Sequence, residues 1–164
     1  MAGVLDGSRF INLAASELKV HRSEIETFIM GSHGDTMVPI LSKTTVNGKP
    51  INDVLPKDKL EAIVKRTCDR GAEIIGLLGS GSAYYSPSAG VLKMIECIVD
   101  DAHETLTASA ILDGEYGLKD MAIGVPCVIG KNGVEKVVEF ELNVEEKALF
   151  SKSAKAIESA IKLL

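Results

Sequence analysis

The sequence predicts an α+β fold, with largely antiparallel sheets packed against long helices. Three observations carry this. Helical and strand-like segments alternate irregularly, without a repeated strand–helix–strand winding. Two Asn-Gly pairs, Asn47-Gly48 and Asn132-Gly133, sit between apolar segments as hairpin turns. Two long amphipathic windows, 57–78 and 145–164, are too long for strands and carry apolar residues at helical spacing.

The elements follow in order. Phe10, Leu13, Ala14 and Leu18 predict a helix from Asp6 to about Lys19, with Asp6 or Ser8 as its cap. Ile25 to Met30 reads as a short apolar strand running into the loop Gly31-Ser32-His33-Gly34-Asp35. Met37 to Thr44 reads as a further strand, followed by the first hairpin turn. Lys57 to Leu78 is a helix with an apolar stripe through Leu60, Ile63, Val64, Cys68, Ala72, Ile75 and Leu78, broken by Gly79-Ser80-Gly81-Ser82. A helix from Pro87 to about Ala102 places proline in its first turn. Leu106–Leu112, Met121–Ile129 and Val134–Leu142 are strands, the last two joined by the second turn. Glu145 to Leu164 closes the chain as a helix whose acidic start suits the helix dipole.

The 164 residues fit one domain, since a domain typically holds roughly 100–200. Hydrophobic residues make up 46% and charged residues 25%, which excludes a disordered or collagen-like chain. Aromatics are 4% with no Trp, which argues against a base-stacking surface. A net charge of -5 gives no general attraction for nucleic acid or an anionic membrane. No run approaches the ~20 apolar residues of a membrane helix. Cys68, Cys97 and Cys127 are odd in number and lack a CxxC spacing, so the reading is buried thiols, with no disulfide framework and no metal site. The start of the chain has no signal-peptide pattern, and the expected location is cytoplasmic.

His21 and His103 stand among polar neighbours and read as solvated. His33 differs: small residues flank it directly after a strand, where backbone can approach a ligand and leave the imidazole uncovered. A loop histidine bonded to nearby backbone is equally compatible with that pattern. Asp6 and Arg9 share a helix face at i, i+3 spacing. Alone they read more simply as a surface pair. If the Asp6 carboxylate met His33, it would fix the ring and leave the other nitrogen free for proton transfer. Arg9 would then offer a planar fork to a substrate carboxylate. Spacing by itself does not bring Asp6 to His33. Gly79-Ser80-Gly81-Ser82-Ala83-Tyr84 lacks the third glycine of a dinucleotide fingerprint and follows a helix, so it reads as a helix-to-helix turn.

Leu5-Asp6-Gly7-Ser8-Arg9-Phe10 followed by Ile29-Met30-Gly31-Ser32-His33-Gly34-Asp35-Thr36-Met37-Val38-Pro39 resembles the substrate-side signature of the lactate/malate dehydrogenase family. Gly81-Ser82-Ala83-Tyr84-Tyr85-Ser86-Pro87 and Gly124-Val125-Pro126-Cys127-Val128-Ile129-Gly130 agree with it, in the family's order. The resemblance covers the whole chain and implies the family's C-terminal catalytic domain, residues 1–164, as a truncated parent without the N-terminal Rossmann domain. It implies that His33 exchanges a proton with the substrate C2 oxygen, that Asp6 holds His33, and that Arg9 grips the substrate carboxylate. Ala83 is implied near the pocket and Pro87 near the nicotinamide.

Two departures stand out. Asp6-Gly7-Ser8-Arg9 replaces the commoner Asp-Ser-Ala-Arg or Asp-Thr-Ala-Arg, with small residues throughout. Ile11 stands where many members have a second Arg, which weakens any anion or subunit contact there. The stretch His33 to Pro39 is similar to the malate branch, so the implied substrate is a small 2-hydroxy or 2-oxo dicarboxylic acid, with lactate as the alternative. NAD is implied for the parent, with none expected on this chain alone, which should be inactive or nearly so. A homodimer or tetramer is implied, and a self-associating module without catalysis is the second alternative. A hydrolase using Ser8 or Ser32 is disfavoured, since neither lies in a Gly-x-Ser-x-Gly elbow.

Overall fold

The computed structural model describes residues 1–163. Five helices and eight strands follow one another among these residues. They are α1 (Ala2–Leu18), β1 (Ile25–Glu26), β2 (Ile29–Gly31), β3 (Met37–Pro39), β4 (Thr45–Val46), β5 (Lys49–Pro50), α2 (Ile51–Val54), α3 (Lys57–Leu78), α4 (Tyr85–Val99), β6 (Glu104–Asp113), β7 (Lys119–Gly130), β8 (Gly133–Val137) and α5 (Val144–Ile161). One sheet has the order β3-β2-β7-β6, with β8 also paired to β7. A smaller sheet has the order β1-β4-β5. Every pairing is antiparallel, so the expected α+β class is the observed one.

Both hairpin signals are real. Asn47 and Gly48 take φ of 51° and 74°, the left-handed pair that a two-residue turn between twisted strands requires. The second reversal runs through Lys131 and Asn132 to Gly133, at φ 86°.

Several boundaries differ from the sequence reading. Helix α1 begins at Ala2, so Asp6 and Ser8 lie inside it and neither caps it. Gly3 is what lets the helix begin early. A Cβ there would stand 2.3 Å from the Thr107 side chain, so only glycine allows α1 to lie this close to β6. The run Ile25–Met30 is two strands in two sheets, parted at Thr27-Phe28. The run Met37–Thr44 is strand only to Pro39, then turns through a single 3-10 turn at Leu41–Lys43. Its Thr44 hydroxyl is tied down by Ile40 O at 2.9 Å. The short helix α2 was not foreseen, and β8 ends at Val137, not Leu142. Pro87 is the third residue of α4, where its missing N–H is still one of the helix's unpaired donors. The final helix ends at Ile161, and the predicted Leu164 lies outside the described residues.

Two apolar cores flank α1. Phe10, Ala14, Ile25, Ile29, Ile51 and Leu60 join it to α3 and the small sheet. The larger core lies on the main sheet, where Met30, Val38, Ile123 and Val125 meet Phe150 and Ala154 of α5 and Cys97 of α4. All three cysteines are free, with Cys97 and Cys127 buried and Cys68 half-buried. Burial pushes the Cys127 thiol up to about 11, which keeps it protonated and unreactive. Helix α5 starts at a capping box, Asn143 accepting the Glu146 N–H at 2.9 Å and Glu146 accepting the Asn143 N–H at 3.0 Å. The same Glu146 carboxylate accepts the Ser42 N–H at 2.9 Å, so this helix is fastened at its start to the segment after β3.

Helix α4 and the end of α3 leave Ile75, Leu77, Leu78, Tyr84, Tyr85, Leu92, Ile95 and Val99 exposed. No helix among the described residues is long and apolar enough to cross a membrane.

His21 is exposed, as expected, and its ring accepts the Ser23 N–H. His103 is exposed but not free. Its Nδ1 meets Asp101 O at 2.7 Å and its Nε2 meets Glu135 Oε2 at 3.0 Å. Both ring nitrogens face acceptors, so the doubly protonated ring is favoured. The Asp101 carbonyl and then the nearby carboxylates hold the His103 pKa above its ordinary value. The other charged group at this corner, Lys131, gives its backbone N–H to Asp101 at 2.9 Å. A raised folded-state pKa adds stability at low pH that is lost as pH rises through it. Denaturant unfolding of wild type and His103→Asn should therefore differ most near about pH 5.5 and converge by about pH 9. A stability gap that widens with pH would contradict this assignment.

Candidate active site

The site is assembled from one helix and one strand end. Asp6 sits one turn into α1, where the helix crosses the main sheet, and is only 2% exposed. A carboxylate so placed is costly unless its oxygens are paired. Both are. Oδ1 accepts from Arg9 Nη1 at 3.2 Å, and Oδ2 lies 2.8 Å from His33 Nδ1. The first contact is the i, i+3 spacing of α1. The second spans 27 residues and was open from sequence. Asp6 can only accept when ionised, so Nδ1 carries the ring proton, and Nε2 of the neutral ring is left as an acceptor.

His33 comes to Asp6 because β2 ends beside α1. Gly31 and Gly34 take φ of 86° and 118°, conformations that L side chains rarely adopt, and they turn the chain sharply on either side of His33. A second constraint fixes β2 against β7. Gly31 pairs with Gly124, and a Cβ on Gly124 would stand 2.6 Å from Gly31 O. The imidazole is 49% exposed and, with Asp6, lines a cleft of about 250 Å³ that also takes in Met30, Ser109, Ile123 and Gly124.

Arg9 is 9% exposed, and its guanidinium packs over Gly71 of α3, 3.8 Å from where a Cβ would be. Its Nε is buried without a hydrogen-bond partner among the described residues. It lines a second cleft, of about 520 Å³, between α1, α3 and α4, with Arg22, Arg70 and Lys93 on the same walls. That concentration of basic groups suits an anion, although Arg70 is paired to Glu73 at 2.7 Å and Lys93 to Glu104 at 2.6 Å.

The structure thus brings Arg9 and His33 onto the one Asp6 carboxylate, with His33 and Arg9 opening into separate clefts. Ala83 lines a third cleft, of about 240 Å³, with Ile74, Leu78 and residues Ser82 to Ser86. Pro87 is half-buried in the first turn of α4 and lines none of these three clefts. Sequence reasoning missed the basic cleft, whose members are scattered from residue 9 to residue 93. It also missed the Gly31–Gly124 approach, for which the glycine in an otherwise apolar strand was a usable signal.

The lactate/malate dehydrogenase alpha/beta C-terminal domain family matches residues 3–164. The chain belongs to that family. It is 48% identical over 163 residues to the malate dehydrogenase of Roseiflexus sp. strain RS-1, covering 99% of this chain and 53% of that protein. It is 44% identical to the malate dehydrogenase of Geobacillus kaustophilus, covering 99% of this chain and 52% of that one. Among solved structures, the malate dehydrogenase from Salinibacter ruber superposes with a TM-score of 0.96 at 44% identity, over 99% of this chain and 53% of that one. The lactate dehydrogenase from Eimeria maxima, solved with NADH and oxamate, also gives 0.96, at 35% identity, over 99% of this chain and 51% of its own. The chain therefore spans about half the length of the curated relatives it matches.

Gly124 tests the packing beneath the site. Gly124→Ala should force β2 away from β7, since the clash is with backbone, at a cost of about 1–3 kcal/mol in denaturant unfolding. The His33 imidazole resonances should shift in the same variant. Wild-type stability together with unshifted resonances would show that the two strands are not held this closely.

Proposed function

We propose that this chain is the substrate-side catalytic domain of an NAD-dependent malate dehydrogenase, interconverting a 2-hydroxy dicarboxylic acid and its 2-oxo acid. The observation that carries the reading is the buried Asp6 carboxylate shared between Arg9 and His33. A 2-hydroxy acid has a carboxylate on the carbon next to the one bearing the hydroxyl. A forked cation beside a proton acceptor matches those two adjacent groups. Malate is favoured over lactate by the stretch His33 to Pro39, similar to the malate branch, and because the curated relatives named above, at 44–48% identity, are malate dehydrogenases.

Neutral His33 accepts the substrate hydroxyl proton at Nε2 as the C2 oxygen becomes a carbonyl. Asp6 keeps Nδ1 protonated and stabilises the imidazolium that results. In the reverse direction imidazolium returns the proton from Nε2. Arg9 binds the C1 carboxylate and thereby sets which face of C2 is presented. A bound NAD would supply the hydride acceptor. The described residues do not by themselves fit a whole dinucleotide. Their Gly79–Ser82 segment joins two helices instead of following a strand, and the cleft beside it is about 240 Å³. The cofactor would accordingly be held mainly by a nucleotide-binding partner domain, with Ala83 and Pro87 facing it, and this chain alone would turn over little or nothing. The apolar surface of α4 and the end of α3 fits the same reading, as a face covered by another domain or by a second copy in a homo-oligomer.

In a protein that joins this chain to its nucleotide-binding half, His33→Asn should lower kcat by about 10²–10⁴-fold and leave NAD binding intact. Asp6→Asn should fall in the same class. Arg9→Lys should raise KM by about ten- to a hundredfold, since an ammonium cannot make the forked contact. An unchanged KM would remove Arg9 from the substrate. For the chain itself, NMR of His33 with added oxamate or malate is decisive. Displacement of the His33 signals by the anion is expected. A ring that ignores both anions would mean that this half of the site does not bind substrate unaided.

A further inference from the structure

The segment bearing His33 is held from the far end of the sequence. Ser153, in α5, is fully buried, at 0% exposure. Its Oγ accepts the Ser32 N–H at 2.8 Å and lies 3.4 Å from Thr36 Oγ1, to which it donates. Thr36 Oγ1 is in turn hydrogen-bonded to Ser32 Oγ. The contact is close in all directions: a Cβ on Gly31 would stand 2.5 Å from Ser153 Oγ and 3.1 Å from Ser153 Cβ. The residue before His33 and the residue three after it are thus both fastened to one hydroxyl. On the other side, β7 presses on Gly31 through Gly124.

Nothing in the packing of α5 calls for a hydroxyl here. The helix turns its apolar residues Phe150 and Ala154 into the main core at neighbouring positions. A serine buried among them is unfavourable unless its oxygen is bonded, and its partners lie in the His33 segment. Without that acceptor, the Ser32 N–H would be left unpaired beside a catalytic side chain. A shift of about 1 Å at a reacting group can cost on the order of a hundredfold in rate.

We propose that Ser153 is a positioning residue for His33, holding the Gly31–Thr36 segment so that Nδ1 stays on Asp6 and Nε2 faces the substrate. This rests on the reading of His33 as the acid/base group. Through Ser153, the docking of the C-terminal helix becomes a condition for the correct ring orientation.

The test uses the 164-residue chain with 15N-labelled histidine and amides, as wild type, Ser153→Ala and Phe150→Leu. Phe150→Leu weakens the packing of the same helix, where the ring lies against Tyr116, and removes no hydrogen bond to the His33 segment. Two signals are read: hydrogen exchange of the Ser32 amide, and the Nδ1 and Nε2 shifts of neutral His33, which report the tautomer. In Ser153→Ala the Ser32 amide should exchange about tenfold faster. The ring shifts should move from the Nδ1–H form toward a mixture. Phe150→Leu should leave both signals close to wild type. The proposal is overturned if Ser153→Ala keeps either signal at its wild-type value, or if Phe150→Leu moves both as far. Should Ser153→Ala not fold, Thr36→Val removes only the second hydroxyl contact and should move the His33 shifts the same way, more weakly; unmoved shifts there count equally against the proposal. No anion is added in these measurements. The acid/base reading is tested separately, by kcat of His33→Asn in the protein that joins this chain to its nucleotide-binding half, so its failure and that of the Ser153 role are distinguishable.

Discussion

The site depends on one buried charge. Asp6 is placed under the first turns of α1, out of water, and a carboxylate there is tolerable only when its oxygens are occupied. Arg9 and His33 occupy one oxygen each. Removing one partner of such a pair typically costs about 3–5 kcal/mol, because the remaining charge stays buried. The same geometry that stabilises Asp6 therefore dictates which imidazole nitrogen is protonated and where the guanidinium lies. Stability and chemistry are set by a single interaction.

That interaction requires backbones to approach more closely than side chains permit. Gly3 lets α1 settle on Thr107, Gly124 lets β7 meet Gly31, and Gly31 lets Ser153 reach the Ser32 amide. Each contact moves a different element toward the same point: a helix, a strand and the C-terminal helix. Helix α5 is fixed at its own start by the Asn143–Glu146 capping box and at Ser42 by the Glu146 carboxylate. The site is thus closed by residues drawn from both ends of the chain, although its proposed reacting groups lie within the first 33 residues.

Long periodic helices and Asn-Gly turns were legible because their signals are local. The windows 57–78 and 145–164 needed only spacing, and the turn at Asn47-Gly48 needed only two residues that accept positive φ. The failures were local signals overruled by tertiary contacts. The first helix was read from Asp6 but begins at Ala2, with Gly3 packed on Thr107, and Ile25–Met30 looked like one strand but was divided between two sheets. His33, Asp6 and Arg9 were legible as candidates from residue type and motif, and the family resemblance assigned their roles. Arg22, Arg70 and Lys93 were not, since no spacing relates them.

By itself the sequence determined the fold class and the family, and it singled out three candidate residues whose side chains suit proton transfer and carboxylate binding. Residue types and short-range spacing carry that information. Only the tertiary structure decided that Asp6 meets His33, that Arg9 opens into a basic cleft separate from that of His33, and that Ser153 reaches the Ser32 amide across 121 residues. Those contacts follow from how helices and strands pack, and packing is fixed by volumes and backbone approach between segments that are distant in the chain.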